Sequence, residues 1–132
     1  MSKKLLINKV INKKGDKEIK YMDDERLQAA MEIILNAGDA RVKCKEALDA
    51  IAVYNFELAK ENLKEAQVKI GAAHKVQTDA IQGESAGEAS NYSVLFTHAQ
   101  DTLMTINSEI IIAKQMIKIF ESYEKRIVAL EK

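Results

Sequence analysis

Between Asn91 and Leu130 the apolar residues run along two lines at once, and this constrains the fold more than any other feature of the chain. One line joins Leu103, Ile106, Ile110, Ala113, Ile117, Phe120 and Ile127 at steps of three and four, the period of an α-helix face. The other joins Val94, His98, Asp101, Thr105, Ile112 and Ile119, displaced by roughly a third of a turn at about 100° per residue. One stripe suffices to pack a helix onto its own domain. Two stripes, with Ile110, Ile111 and Ile112 in a row, demand burial on more than one side. The second neighbour expected from this pattern is another copy of the chain. His98 and Asp101 stand on that second stripe, three positions apart and so on one helix face. Two ionisable groups on a face meant for burial need a chemical reason to be there.

The rest of the chain supplies two further helical segments. Asp23 or Asp24 can cap the first, in which Leu27, Ala30, Met31, Ile34, Leu35, Ala37, Val42, Leu48 and Ile51 suggest the inner face out to about Val53. Gly38 lies inside it, at a cost of about 1 kcal/mol against alanine, and close packing of a neighbouring helix is the expected compensation. Tyr54-Asn55-Phe56 breaks the pattern, with Asn55 as the N-cap of the second helix and Leu58, Leu63, Ala66, Ile70, Ala73 and Ile81 as its inner face. Residues 82–90, with two glycines among small polar side chains, read as a loop. The third helix then runs from about Asn91 to Leu130, on the order of 60 Å. A chain of 132 residues without proline suits such long helices, and the expected class is all-α: a three-helix antiparallel bundle whose third helix forms the centre of a homotrimer.

Residues 1–22 differ from residues 23–131. Val10, Ile11, Ile19 and Tyr21 flank Lys14-Gly15-Asp16-Lys17, so this extension is expected as a small β-hairpin or a disordered arm. Residues 1–20 hold seven lysines against Asp16 and Glu18, a net +5, which leaves −5 on the rest of a chain whose formal charge is zero. An acidic body argues against a nucleic-acid groove. The single cysteine, Cys44, permits no intrachain disulfide and suits a reducing, cytoplasmic location. No apolar run approaches the roughly 18 residues of a membrane span, so direct membrane insertion is not expected.

The chemistry is bounded by what the chain lacks. It has two histidines, His74 and His98, and neither CxxC, HExxH nor a glycine-rich phosphate loop after a strand. His74, among small residues, reads as a packing side chain, Cys44 as a small core or interface residue, and Lys60-Glu61 with Lys64-Glu65 as a solvated face. Histidine as a residue type is partly neutral near pH 7 and forms a labile N–P bond, which suits a transient phosphoryl carrier. Thr97, Gln100 and Thr102 are candidate donors to phosphoryl oxygens. A carboxylate on a self-associating stripe meets its own copies, and like charges so placed need protons or a hard divalent cation such as Mg²⁺ to compensate them. Asp101 is the candidate ligand.

The order and spacing of several motifs add to this. Asn36-Ala-Gly-Asp-Ala-Arg41, Ala73-His-Lys-Val-Gln-Thr78, Gly83-Glu-Ser-Ala-Gly-Glu88 and Tyr92-Ser-Val-Leu-Phe-Thr-His98-Ala-Gln-Asp101, followed by Leu103-Met-Thr105, resemble the lactose/cellobiose-type enzyme IIA of the bacterial sugar phosphotransferase system. The similarity runs from about Arg26 to Arg126. It implies a homotrimer of three-helix subunits in which His98 takes a phosphoryl group from the carrier protein HPr. The group then passes to a cysteine of the cognate enzyme IIB, and the membrane enzyme IIC is served indirectly. It also implies that Asp101 is the metal-linked aspartate of the trimer axis. The family usually has a second histidine where this chain has Thr102, and a glycine where it has Tyr54. A threonine hydroxyl can donate one hydrogen bond but adds no positive charge, which leaves open an alternative: a non-catalytic or regulatory trimeric module derived from the family.

Overall fold

A computed structural model describes the backbone of residues 3–85 and 93–132 and the side chains of residues 25–83 and 93–132. Three helices make up the described residues: α1 (Lys3–Ala52), α2 (Phe56–Ser85) and α3 (Val94–Glu131), each packed against the other two. The backbone is helical from Lys3, so α1 passes through the segment for which a hairpin or arm is the sequence expectation. Once a helix is nucleated each further residue adds a hydrogen bond, and one glycine without a proline does not stop it. Residues 82–85 likewise belong to α2 and not to the loop. Residues 86–92, the remainder of that expected loop, lie outside the described residues.

The core is narrower on α1 than its hydrophobicity suggests. Ala30, Ile33, Ala37, Ala40, Cys44, Ala47 and Ile51, at alternating steps of three and four, are buried. Leu27, Met31, Leu35, Val42 and Leu48, expected inside, are exposed. Alanine lets helix axes approach to the short end of the usual 8–10 Å range, and the larger side chains are displaced to the outer faces. On α2 the buried line is Ala59, Leu63, Ala66, Ile70 and Ala73, while Leu58 and Ile81 lie outside it. On α3 Leu103, Ile106, Ile110, Ala113 and Ile117 are buried as the first stripe requires, and Phe120 and Ile127 are exposed. Gly38 has no close neighbour: a Cβ built there meets nothing within 4 Å.

Ion pairs set the register between helices. Asp39 pairs with Lys69 at 3.7 Å and Lys43 with Glu65 at 3.3 Å, so partners descend α2 as α1 ascends. Arg41 pairs with Glu109 at 2.7 Å, and Lys60 with Glu121 at 2.6 Å. Exposed pairs of this kind contribute about 0–1 kcal/mol each, so the core holds the bundle and the pairs fix its alignment.

The turn between α1 and α2 is a Schellman closure. The Asn55 amide donates to the Ala50 carbonyl at 2.9 Å and the Tyr54 amide to the Ile51 carbonyl at 3.0 Å. This places Tyr54 at φ 62°, in the left-handed region where glycine is the usual occupant. Asn55 serves the next helix as well, its side-chain oxygen accepting from the Leu58 amide at 3.2 Å. Around this turn a groove of about 420 Å³, lined by residues including Tyr54, Phe56, Lys60, Glu121 and Glu124, marks one end of the bundle.

Candidate functional site: the exposed face of α3

Ser93 starts α3. Its backbone is extended (φ −122°, ψ 117°) and its hydroxyl accepts from the Phe96 amide at 3.1 Å, an N-cap that satisfies one of the orphan donors of the first turn. The Arg26 guanidinium lies 5.3 Å from the centre of the buried Phe96 ring and ties the start of α3 to α1. With Phe96, Ala99 and Leu103 anchored in the core, the helical period fixes what lies opposite. His98 and Asp101 are exposed, while Thr97, Gln100 and Thr102 are half-buried.

The neighbours of His98 do not all serve as free donors. The Thr102 hydroxyl donates to the His98 carbonyl at 2.8 Å, and the Thr97 hydroxyl donates to the Ser93 carbonyl at 3.1 Å. Each threonine thereby spends its single proton on its own helix, a common back-bonding arrangement. Gln100 has no hydrogen-bond partner among the described residues, which leaves its amide as the candidate donor beside His98.

Asp101 also has no partner among the described residues. In one chain it is a lone carboxylate: no group of three or more His, Cys, Asp or Glu capable of holding a metal occurs among the described residues. Its oxygens suit a hard divalent ion chemically, but further protein ligands would have to come from beyond the described residues of one chain.

Along the same face Val94, Thr105, Ile112 and Ile119 are exposed, with Val94 at 73%, Ile112 at 52% and Ile119 at 50%. The second stripe of the sequence is therefore present and uncovered. His74 is half-buried on a different helix, α2. Cys44 is buried on α1, where desolvation pushes its thiol up from the ordinary range, an inert setting. Sequence reasoning missed the two-point bond from Arg41 to Glu109, Nε to Oε2 at 3.2 Å and Nη2 to Oε1 at 2.7 Å, which holds the guanidinium above its usual pKa. Arg41 closes the motif beginning at Asn36, but its partner 68 residues away carries no sequence signal.

Fold and site together define an all-helical subunit that displays a histidine on the uncovered face of a long helix. No described helix is long and apolar enough to cross a membrane. Residues 28–121 match the family model described as the PTS system lactose/cellobiose-specific IIA subunit, and the chain belongs to that family of phosphotransfer proteins. It is 39% identical over 103 residues to the lactose-specific EIIA component of Staphylococcus epidermidis, covering 77% of this chain and 95% of that protein. It is 34% identical over 100 residues to the lichenan-specific phosphotransferase enzyme IIA component of Bacillus subtilis, covering 76% and 91%. Among solved structures, the cellobiose-specific enzyme IIA from Bacillus anthracis superposes with a TM-score of 0.72 at 35% identity, over 76% of this chain and 92% of that one. PtcA from S. mutans gives 0.73 at 38%, over 74% and 96%.

Proposed function

We propose that the chain is a cytoplasmic phosphoryl carrier in which His98 accepts the phosphoryl group of phospho-HPr and gives it to the cysteine of a cognate enzyme IIB during uptake of a lactose-, cellobiose- or chitobiose-type sugar. In the first step an imidazole nitrogen of His98 attacks phosphorus as the N–P bond to HPr breaks. In the second the thiolate of enzyme IIB attacks, an S–P bond forms, and His98 is regenerated. Such transfer needs positioning and charge stabilisation more than covalent chemistry from the protein. The observation that carries the reading is the exposure of His98 on a helix otherwise well anchored. A carrier must be reached by two proteins in turn. Gln100 is the donor best placed by its lack of a competing bond, and Thr102 joins it only by turning its hydroxyl away from the His98 carbonyl.

The assembly belongs to the same proposal. Three copies of the antiparallel three-helix subunit pack through the Val94–Ile119 stripe, whose apolar residues Val94, Ile112 and Ile119 are at least half exposed in one chain. Copies of Asp101 then converge on the axis. A divalent cation there, Mg²⁺ by its preference for carboxylate and water oxygens, supplies the positive charge that keeps those carboxylates ionised.

Incubation with phosphoenolpyruvate, enzyme I and HPr, followed by intact mass measurement, tests the carrier role. One added phosphate on the wild type and none on His98→Ala is the expected result. An unlabelled wild type, under conditions that label a related carrier, favours the non-catalytic module, the reading supported by Thr102 being bonded to the helix backbone.

A further inference from the structure

The first turns of α1 outreach both of its partners. Asp39 pairs with Lys69 and Lys43 with Glu65, so each residue back along α1 is one residue forward along α2. Ser85, where α2 ends, stands sixteen residues past Lys69 and so comes level with Asp23, sixteen before Asp39. Arg41 pairs with Glu109, which brings Val94, the first residue of α3, level with Arg26; Arg26 indeed lies over the Phe96 ring at 5.3 Å. No other described helix therefore runs level with Lys3–Met22, a stretch of about 30 Å at 1.5 Å per residue. The family match begins only at residue 28. On the helical period Leu6, Ile7, Val10 and Ile11 fall on one side of this stretch. Lys9, Lys13 and Lys20 share a line about a third of a turn away.

We infer that residues 3–22 are an interfacial helix that holds the subunit against an anionic lipid bilayer. Two observations choose a bilayer over other acidic partners. The charge is complementary: residues 1–20 hold seven lysines against Asp16 and Glu18, and anionic headgroups attract such a basic segment at short range. The apolar line beside the lysines then has a use, because an interfacial helix buries one face at the boundary of headgroups and acyl chains. A nucleic acid would engage the lysines alone and leave Leu6, Ile7, Val10 and Ile11 without a role. The helix lies on the membrane and does not cross it, since lysines interrupt each apolar run far short of the roughly 18 residues of a span. The extension leaves the bundle at the end where α3 starts, so His98, in the second turn of α3, stands at the membrane-facing end. The inference is independent of the carrier reading and of the assembly.

The test is co-sedimentation of the full chain with vesicles of equal parts phosphatidylglycerol and phosphatidylcholine, beside vesicles of phosphatidylcholine alone. Binding to the anionic vesicles is expected to be about tenfold tighter or more, and to weaken as salt is raised. Two variants separate the contributions. Lys9→Glu with Lys13→Glu and Lys20→Glu, and separately Leu6→Gln with Val10→Gln, are each expected to weaken vesicle binding about tenfold. Thermal unfolding of the bundle should stay as in the wild type, because the substituted positions precede the core. No sedimentation of the wild type with anionic vesicles overturns the inference. So does a loss confined to the lysine variant, which would assign the extension to polyanions such as nucleic acid. A wild type that binds vesicles but takes no phosphate on His98 overturns the carrier reading and leaves this one standing.

Discussion

The two faces of α3 are built from similar residues and meet opposite fates. On one side Leu103, Ile106, Ile110 and Ile117 are at most 4% exposed, covered by α1 and α2. On the other, Val94, Ile112 and Ile119 are at least half exposed, with His98 and Asp101 among them. Hydrophobicity alone does not separate these faces. What separates them is polarity at three places: a stripe serving only the subunit core has no use for His98, Asp101 and Thr105. The difference teaches that one face builds the bundle, while the other leaves its apolar and ionisable side chains open to the partners proposed above.

Substitutions can break that comparison, and the largest effect is expected on the covered face. Leu103→Ala should cost about 2–5 kcal/mol in urea unfolding, the range for a fully buried leucine. Ile112→Ala should leave subunit unfolding within about 0.5 kcal/mol while weakening association in sedimentation equilibrium. Equal losses of folding stability at the two sites would mean that the faces do not differ in role. Next, Asp101→Leu should abolish any effect of chelator on thermal stability yet preserve the proposed trimer, since the apolar stripe remains. Dissociation of that variant would assign the assembly to the cation.

Smaller effects sharpen the picture away from α3. Tyr54→Gly should raise stability by about 1 kcal/mol, because glycine adopts φ 62° without the clash that a Cβ brings. A fall in Tm would mean that the Tyr54 side chain is held by a contact worth more than the backbone strain. Gly38→Ala should add up to about 1 kcal/mol through helix propensity, since a Cβ meets nothing within 4 Å in one chain. Weaker association of that variant would place a neighbouring copy against Gly38.

Some of this was legible from the residues and some was not. The α3 core stripe as far as Ile117, the Asn55 cap and the line on which His98 stands follow from period and capping chemistry. The α1 core does not. Leu27, Leu35 and Val42 outrank Ala30, Ala40 and Ala47 in hydrophobicity, yet the alanines are inside. Close helix approach rewards small size, which a hydrophobic pattern does not register. The role of Thr102 was also hidden, because a hydroxyl chooses between the helix carbonyl and an incoming ligand only in a defined geometry.

Local rules written into consecutive residues therefore determined α2, α3 and the part of α1 beyond Asp23, the break at Tyr54-Asn55 and the line on which His98 and Asp101 stand. Such rules act over one to five residues and need no knowledge of the neighbour. The tertiary structure alone decided which apolar stripe is covered, that Arg41 reaches Glu109, and that α3 outruns the bundle beyond Lys125. Those outcomes depend on distances between segments far apart in the chain, set by packing of whole helices.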